Sequence, residues 1–181
     1  MRVPQVARLA RLESLLGIAR RWVGAGAVPF RATLFDKSGL RTWLVAWHQD
    51  AVLPLAARSE SAEWGPWTMK QGVLHARAPA WALERVVALR IHLDDSGVDN
   101  GPLKVISGSH ARGVLSPEEI RGLIREAAPE TCLVRVGGVL AMRPLLVHAS
   151  SKSTSRRPRR VIHIEYASSM DLAPGIRLAL P

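Results

Sequence analysis

The sequence is short of cysteine, of acid and of long apolar runs, and each shortage closes a door. One cysteine, Cys132, stands among 181 residues. It allows no internal disulfide, and a zinc site built from several thiolates is excluded. A reducing, cytoplasmic setting is the expectation. No run of about 18 apolar residues occurs, so no membrane span is expected. The opening MRVPQVARLARLESLLGIARRW is broken by arginines and lacks the uncharged core of a secretory signal; a surface helix is the expectation. Acids number 15 against 25 bases, for a net charge of +10. Only four of the bases are lysines, and the arginines are scattered, with one dense cluster at Arg156, Arg157, Arg159 and Arg160. No recognition-helix pattern or stacking-aromatic motif accompanies the charge, so no nucleic-acid partner is expected. Phosphate-loop and dinucleotide glycine patterns are also missing.

What is present reads as one domain over 1–181, an N-terminal helix in 1–25 and a core from 26 onward. Val6, Leu9, Leu12, Leu16 and Val23 recur at three-to-four spacing and predict a helix over 4–23. Strands are predicted at 31–36 and 42–50, separated by a Lys37-Ser38-Gly39 turn, and then at 85–94, in LKVIS, and at 132–136, 138–148 and 159–167. Segment 51–82, with Trp64, Trp67, Trp81 and several Gly and Pro breaks, is predicted as a long loop. Residues 116–128 predict a second helix, with Ser116 as cap, Pro117 at its first position and Glu119 completing a capping box. Many short strands and two helices indicate a mainly β, double-sheet fold of jelly-roll or cupin type. A parallel α/β sheet would need helices between most strands.

The chemistry concentrates at Trp47-His48-Gln49-Asp50. On a strand, residues two apart share a face, so His48 and Asp50 project together and can chelate one ion. A His-X-Asp alone is a weak signal. The apolar stretch PLLVH, however, ends in His148, at the close of a buried-looking strand. Two imidazoles and one carboxylate on one face of a metal leave three positions open, the arrangement of iron(II) oxygenases. If 159–167 is a strand, Arg159, Val161, His163 and Glu165 share a face, and the strand ending at His148 is its expected neighbour. Arg159 then reaches into the same cavity, where a carboxylate is its natural bidentate partner. Arg156 and Arg157 read as a solvated basic loop.

RIHLDDSGVDNGPLKVISGSH, lying between WHQD and PLLVHASS…RR, resembles the phytanoyl-CoA dioxygenase family of iron(II)/2-oxoglutarate oxygenases, from about Phe30 to about Tyr166. The resemblance implies a double-stranded β-helix core. It implies iron(II) bound by His48, Asp50 and His148, with 2-oxoglutarate as co-substrate. It implies that Arg159 pairs with the far carboxylate of 2-oxoglutarate and that Ser150 assists. The implied reaction is hydroxylation of a small organic molecule by dioxygen, with release of succinate and carbon dioxide. Asp50 argues against halogenation, for which relatives replace the carboxylate with a small residue. Lys37 and Thr42 are both open as contacts to the near carboxylate, and Arg90 stands where many relatives carry an aromatic residue.

Two other functions use the same residues: a zinc hydrolase with the same ligands, for which no general base is evident, and a non-catalytic cupin-like binding protein. Elsewhere, His110 reads as a turn residue, and His92 as a satisfied structural histidine or a cavity lining. His163 reads as a support for the site or a packed histidine. Asp94 and Asp95 face opposite ways and form no acid/base dyad. The three tryptophans fit a substrate mouth under the 51–82 loop or a small satellite core.

Overall fold

The computed structural model describes residues 3–38 and 42–180. Helices α1 (Pro4–Leu9) and α2 (Glu13–Val23) precede strands β1 (Val28–Lys37), β2 (Val45–His48), β3 (Val52–Leu55), β4 (Trp67–Lys70) and β5 (Val73–Arg77). After α3 (Ala80–Leu83) come β6 (Val86–His92), β7 (Leu103–Val105) and a short 3-10 turn at Ser109–Arg112. Helix α4 (Pro117–Glu126) is followed by β8 (Glu130–Cys132), β9 (Val139–Met142), β10 (His148–Ser150), β11 (Arg159–Ala167), β12 (Asp171–Ala173) and β13 (Ile176–Arg177). The chain is mainly β, as its pattern predicts. No described helix is long and apolar enough to cross a membrane.

The chain forms two compact units, one of Met1–Ala32, Ala51–Leu89 and Ile164–Pro181, the other of Thr33–Asp50 and Arg90–His163. One four-stranded sheet has the order β1-β11-β6-β9.

The second unit contains the sheet β2-β10-β7-β8. Its core gathers Ile106, Leu115, Leu123 and Val147, with Trp47, Ile120, Ile124 and Ala127 packed against them. Three of these lie at helical spacing on α4, whose start is fixed as the sequence predicts. Ser116 Oγ accepts from the Glu119 amide, and the Glu119 carboxylate accepts from the Ser116 amide at 2.7 Å.

The first unit corrects the loop expected over 51–82. Strands β3, β5 and β4 pair antiparallel there in that order. Lys70 pairs with Val73 across a two-residue turn, Gln71-Gly72, both at positive φ. Such turns favour Asn-Gly, and glutamine in the first place hides the hairpin from a sequence reading. Pro54 is tolerated because β3 is an edge strand of this sheet. Trp64 is buried with its ring 6.0 Å from that of Trp81, edge to face, which makes a satellite core.

Other boundaries also move. The helix expected over 4–23 is two, parted at Ala10–Leu12. The freed Ala10 carbonyl accepts the hydroxyl of fully buried Tyr166 at 3.0 Å, giving that phenol the partner it needs. The strand expected over 138–148 is also two, β9 and β10, in different sheets, and β8 stops at Cys132 rather than running through 136. Strand β11 pairs with β1 and β6, not with the strand ending at His148. The turn expected at 37–39 reaches Gly39, which lies outside the described residues.

Candidate metal centre

Strands β2 and β10 run antiparallel with His48 directly opposite His148. Directly opposed residues bring their side chains together on one face of the sheet. The two imidazole centroids are 4.2 Å apart. Asp50, two residues beyond His48, is held by its amide, which donates to the Pro144 carbonyl at 2.9 Å. Its carboxylate oxygens stand 3.5 Å from His48 Nε2 and 3.6 Å from His148 Nε2. One ligand atom from each of the three lies within 4.8 Å of the others, close enough to share an ion.

Both imidazoles are oriented by the chain itself. His48 Nδ1 donates to the carbonyl of Ala46 and His148 Nδ1 to that of Leu146, each at 2.8 Å and each two residues back. With Nδ1 carrying the proton, each Nε2 presents a lone pair toward Asp50, as a metal ligand requires. The alternation is also as predicted. Gln49 faces the other way, donating to the carbonyls of Gly113 at 2.8 Å and Leu145 at 2.7 Å, while its oxygen accepts from the Leu115 amide.

Electrostatics divide the three. Burial works to raise the Asp50 pKa, but the His48 contact and the charges of His148 and His163 outweigh it and hold the carboxyl well below its ordinary range. The Asp50 contact pushes His48 up. Burial pushes His148 down, assisted by His48 and opposed by Asp50, which favours the neutral, ligating form. This donor set, two nitrogens and one carboxylate oxygen, fits iron(II) with three positions left open.

Ser150 lies on β10, two residues past His148, and its Oγ accepts from Lys37 Nζ at 2.8 Å; the same ammonium donates to the Ser151 carbonyl at 2.6 Å. Of the two residues open as near-carboxylate contacts, Lys37 therefore belongs with Ser150. Arg159 is buried at the start of β11, its Nε donating to the Asn100 carbonyl at 3.3 Å. The Asn100 amide in turn bridges to the Asp95 carbonyl and accepts from Gly97, so the Asp99-Asn100-Gly101 turn props the guanidinium. Gly101 has φ +70, and a Cβ there would run into the Ser151 carbonyl and sit 3.3 Å from Lys37 Nζ. Only glycine fits that approach.

The remaining candidates resolve plainly. Asp94 pairs with Arg160 and Asp95 caps the Val136 amide, so they form no dyad. Arg157 pairs with Asp99 at the surface. His163 accepts from Arg90 Nη1 at 3.1 Å and meets the Phe35 ring edge-on. His92 departs from the satisfied histidine expected: it is buried with no partner at either nitrogen, and burial, with Arg90 and Arg159, lowers it to about 4. Sequence reasoning gave Arg90 no function, although a lone arginine inside VVALRIHL is itself a signal.

The chain is similar to known proteins. The phytanoyl-CoA dioxygenase (PhyH) family model matches residues 32–161. The L-proline trans-4-hydroxylase of Streptomyces griseoviridis is 26% identical over 186 residues, covering 88% of this chain and 62% of that enzyme. The crystal structure of AviO1 from Streptomyces viridochromogenes Tue57 superposes with a TM-score of 0.64 at 27% identity, over 95% of this chain and 62% of that one. EctD from S. alaskensis, crystallised with 2-oxoglutarate and 5-hydroxyectoine, shares the fold with a TM-score of 0.67 at 22% identity, over 93% of this chain and 54% of that one. The chain thus spans less than two thirds of the length of each of these relatives. With the family model covering most of its length, including both histidines and the aspartate of the triad, the chain belongs to the phytanoyl-CoA dioxygenase family.

Proposed function

We propose that this chain is an iron(II)/2-oxoglutarate dioxygenase, working as one domain over 1–181, that hydroxylates a small organic molecule. The observation that carries the reading is the convergence of two Nε2 lone pairs and one carboxylate within 4.8 Å, with each imidazole locked by the carbonyl two residues back. His48, Asp50 and His148 hold the iron. Arg159 and Ser150 hold the far carboxylate of 2-oxoglutarate, and Lys37 joins them there.

When bound, iron and 2-oxoglutarate supply the oxidation: the keto acid gives succinate and carbon dioxide, and one atom of dioxygen enters the substrate. The chain's own residues position and neutralise. Asp50 stays ionised and offsets one charge of the cation. Lys37 and Arg159 offset a carboxylate through charge-assisted hydrogen bonds. The apolar cluster behind β2 and β10 fixes Trp47 and Val147 beside the ligands, so the ligands keep their places during turnover.

The substrate class is open to direct screening. The curated relative is named for proline, so free amino and imino acids are the first set to try. The free thiol Cys132 suits a cytoplasmic location.

Two measurements test the reading. Anaerobic addition of 2-oxoglutarate to the iron(II)-loaded protein is expected to give a visible charge-transfer band, and admission of oxygen to give succinate. The His48→Ala variant is expected to lose both. A normal band in that variant refutes the ligand assignment; hydrolysis with zinc and no succinate with iron would favour the hydrolase instead.

A further inference from the structure

Three buried cations in the unit that carries the triad make no ion pair among the described residues. Lys37, Arg90 and Arg159 are 2%, 5% and 2% exposed. Their hydrogen bonds go to neutral groups: Lys37 to Ser150 and Ser151, Arg159 to the Asn100 carbonyl, and Arg90 to the His163 ring. Arg90 Nε has no partner at all. Burying a cation without a counter-charge is costly, so a fold that keeps three such cations is built around anionic groups.

The three do not stand together. On β1, Phe35 and Lys37 share a face and are separated by roughly 7 Å along the strand. Phe35 carries the Arg90 guanidinium, 5.2 Å from its ring centre, and the His163 ring at 5.7 Å. Lys37, one step further along that face, reaches Ser150. Strand β11 repeats the order, with His163 at the Arg90 level and Arg159 four residues away on the same face. One cation therefore stands at the Phe35–His163 level and two at the Ser150–Asn100 level. With Arg159 and Ser150 assigned to the far carboxylate, the Phe35–His163 level, where Arg90 stands, is the one left for the near carboxylate.

We propose that Arg90 takes the near carboxylate of 2-oxoglutarate, the one beside the keto group, while Lys37 and Arg159 take the far one. This rests on the oxygenase reading and adds a positioning residue to it. A dicarboxylate spanning the two levels gives each group of cations one anion. It also gives the lone guanidinium a bidentate partner in place of a ring nitrogen.

Truncating the ligand separates the ends. The probes are 2-oxoglutarate and 2-oxobutyrate, a keto acid that keeps the near carboxylate and lacks the far one. Each is titrated anaerobically into the iron(II)-loaded protein, with the charge-transfer band as readout. Arg90→Met is expected to weaken both ligands by about tenfold or more, the loss of one charge-assisted pair. Arg159→Ala is expected to weaken 2-oxoglutarate by a similar factor and leave 2-oxobutyrate unchanged. Arg90→Lys, which keeps the charge without the planar fork, is expected to fall between wild type and Arg90→Met, and serves if the methionine variant does not fold. Unchanged 2-oxobutyrate binding in the Arg90 variants overturns the assignment, and so does a loss confined to iron affinity, which would make Arg90 a prop for Asp50. A wild-type protein that gives no band with 2-oxoglutarate sinks the oxygenase reading itself and this assignment with it.

Discussion

The two ends of the proposed site are built on opposite plans. The metal end uses short side chains whose positions follow from backbone register: His48 faces His148 across paired strands, and each ring is fixed by a carbonyl two residues back. At the anion end are long side chains from two separate strands, Lys37 and Arg159, steadied by the Ser150 hydroxyl and main-chain carbonyls. The difference teaches where precision comes from. A metal tolerates errors of a few tenths of an ångström, and only strand geometry delivers that. A carboxylate is held by charge, and flexible cations reach it from several directions.

The comparison breaks most sharply at the metal end. His148→Ala removes a buried ligand and is expected to lower iron affinity by more than about 100-fold, beyond the loss typical of a residue that merely supports a ligand. Circular dichroism is expected to stay close to wild type, and iron binding by dialysis is the measurement. An affinity within tenfold of wild type would mean that the second imidazole does not bind metal.

At the anion end the largest expected effect is on stability. Gly101→Ala places a Cβ against the Ser151 carbonyl and beside Lys37, at a positive φ. A cost of about 2 kcal/mol is expected in urea unfolding. The iron affinity of the folded fraction should not change, which would sharpen the separation of the two ends.

The smallest expected effect is a pH dependence confined to the anion end. Burial, with Arg159 and Arg90 nearby, lowers Lys37 from 10.5 to about 8. Below about 8 the folded protein carries the buried cation. Between about 8 and 10.5 the unfolded chain binds more protons than the folded one, so stability rises with pH across that window. Anion affinity moves the other way, since the cation is lost: 2-oxoglutarate is expected to bind up to about tenfold more weakly per pH unit above 8. Calorimetric titration on either side of that value checks it, and Lys37→Met should flatten both trends.

These two plans also account for what the sequence made legible. The metal end leaves local marks in the chain: His48 and Asp50 are two apart on a strand, and His148 closes an apolar run, so alternation and that run together propose the triad. Ser116, Pro117 and Glu119 announce the start of α4 in the same local way. Residues 37, 150 and 159 come together only through strand order, which alternation does not encode. Thus Arg159 was expected on a strand beside that of His148, whereas β11 runs between β1 and β6. Arg90 was visible as a charge in an apolar strand, but its neighbours Phe35 and His163 come from distant segments. Local chemistry misled at Gln71-Gly72, where an uncommon residue begins a tight turn. At Ala10–Leu12 no breaking residue marks the end of a helix, and the acceptor required by Tyr166 is supplied from outside it.

Gln49, wedged between two ligands and turned away from them, has a consequence of its own. Its amide is engaged on three sides by Gly113, Leu145 and Leu115, so the stretch from His48 to Asp50 is clamped whether or not a cation is present. The cradle is thus shaped at the moment of folding, and loading it is a matter of occupancy. Iron can be withdrawn and another divalent ion installed with the polypeptide left intact, which makes spectroscopically silent or oxygen-inert substitutes usable stand-ins for the working centre.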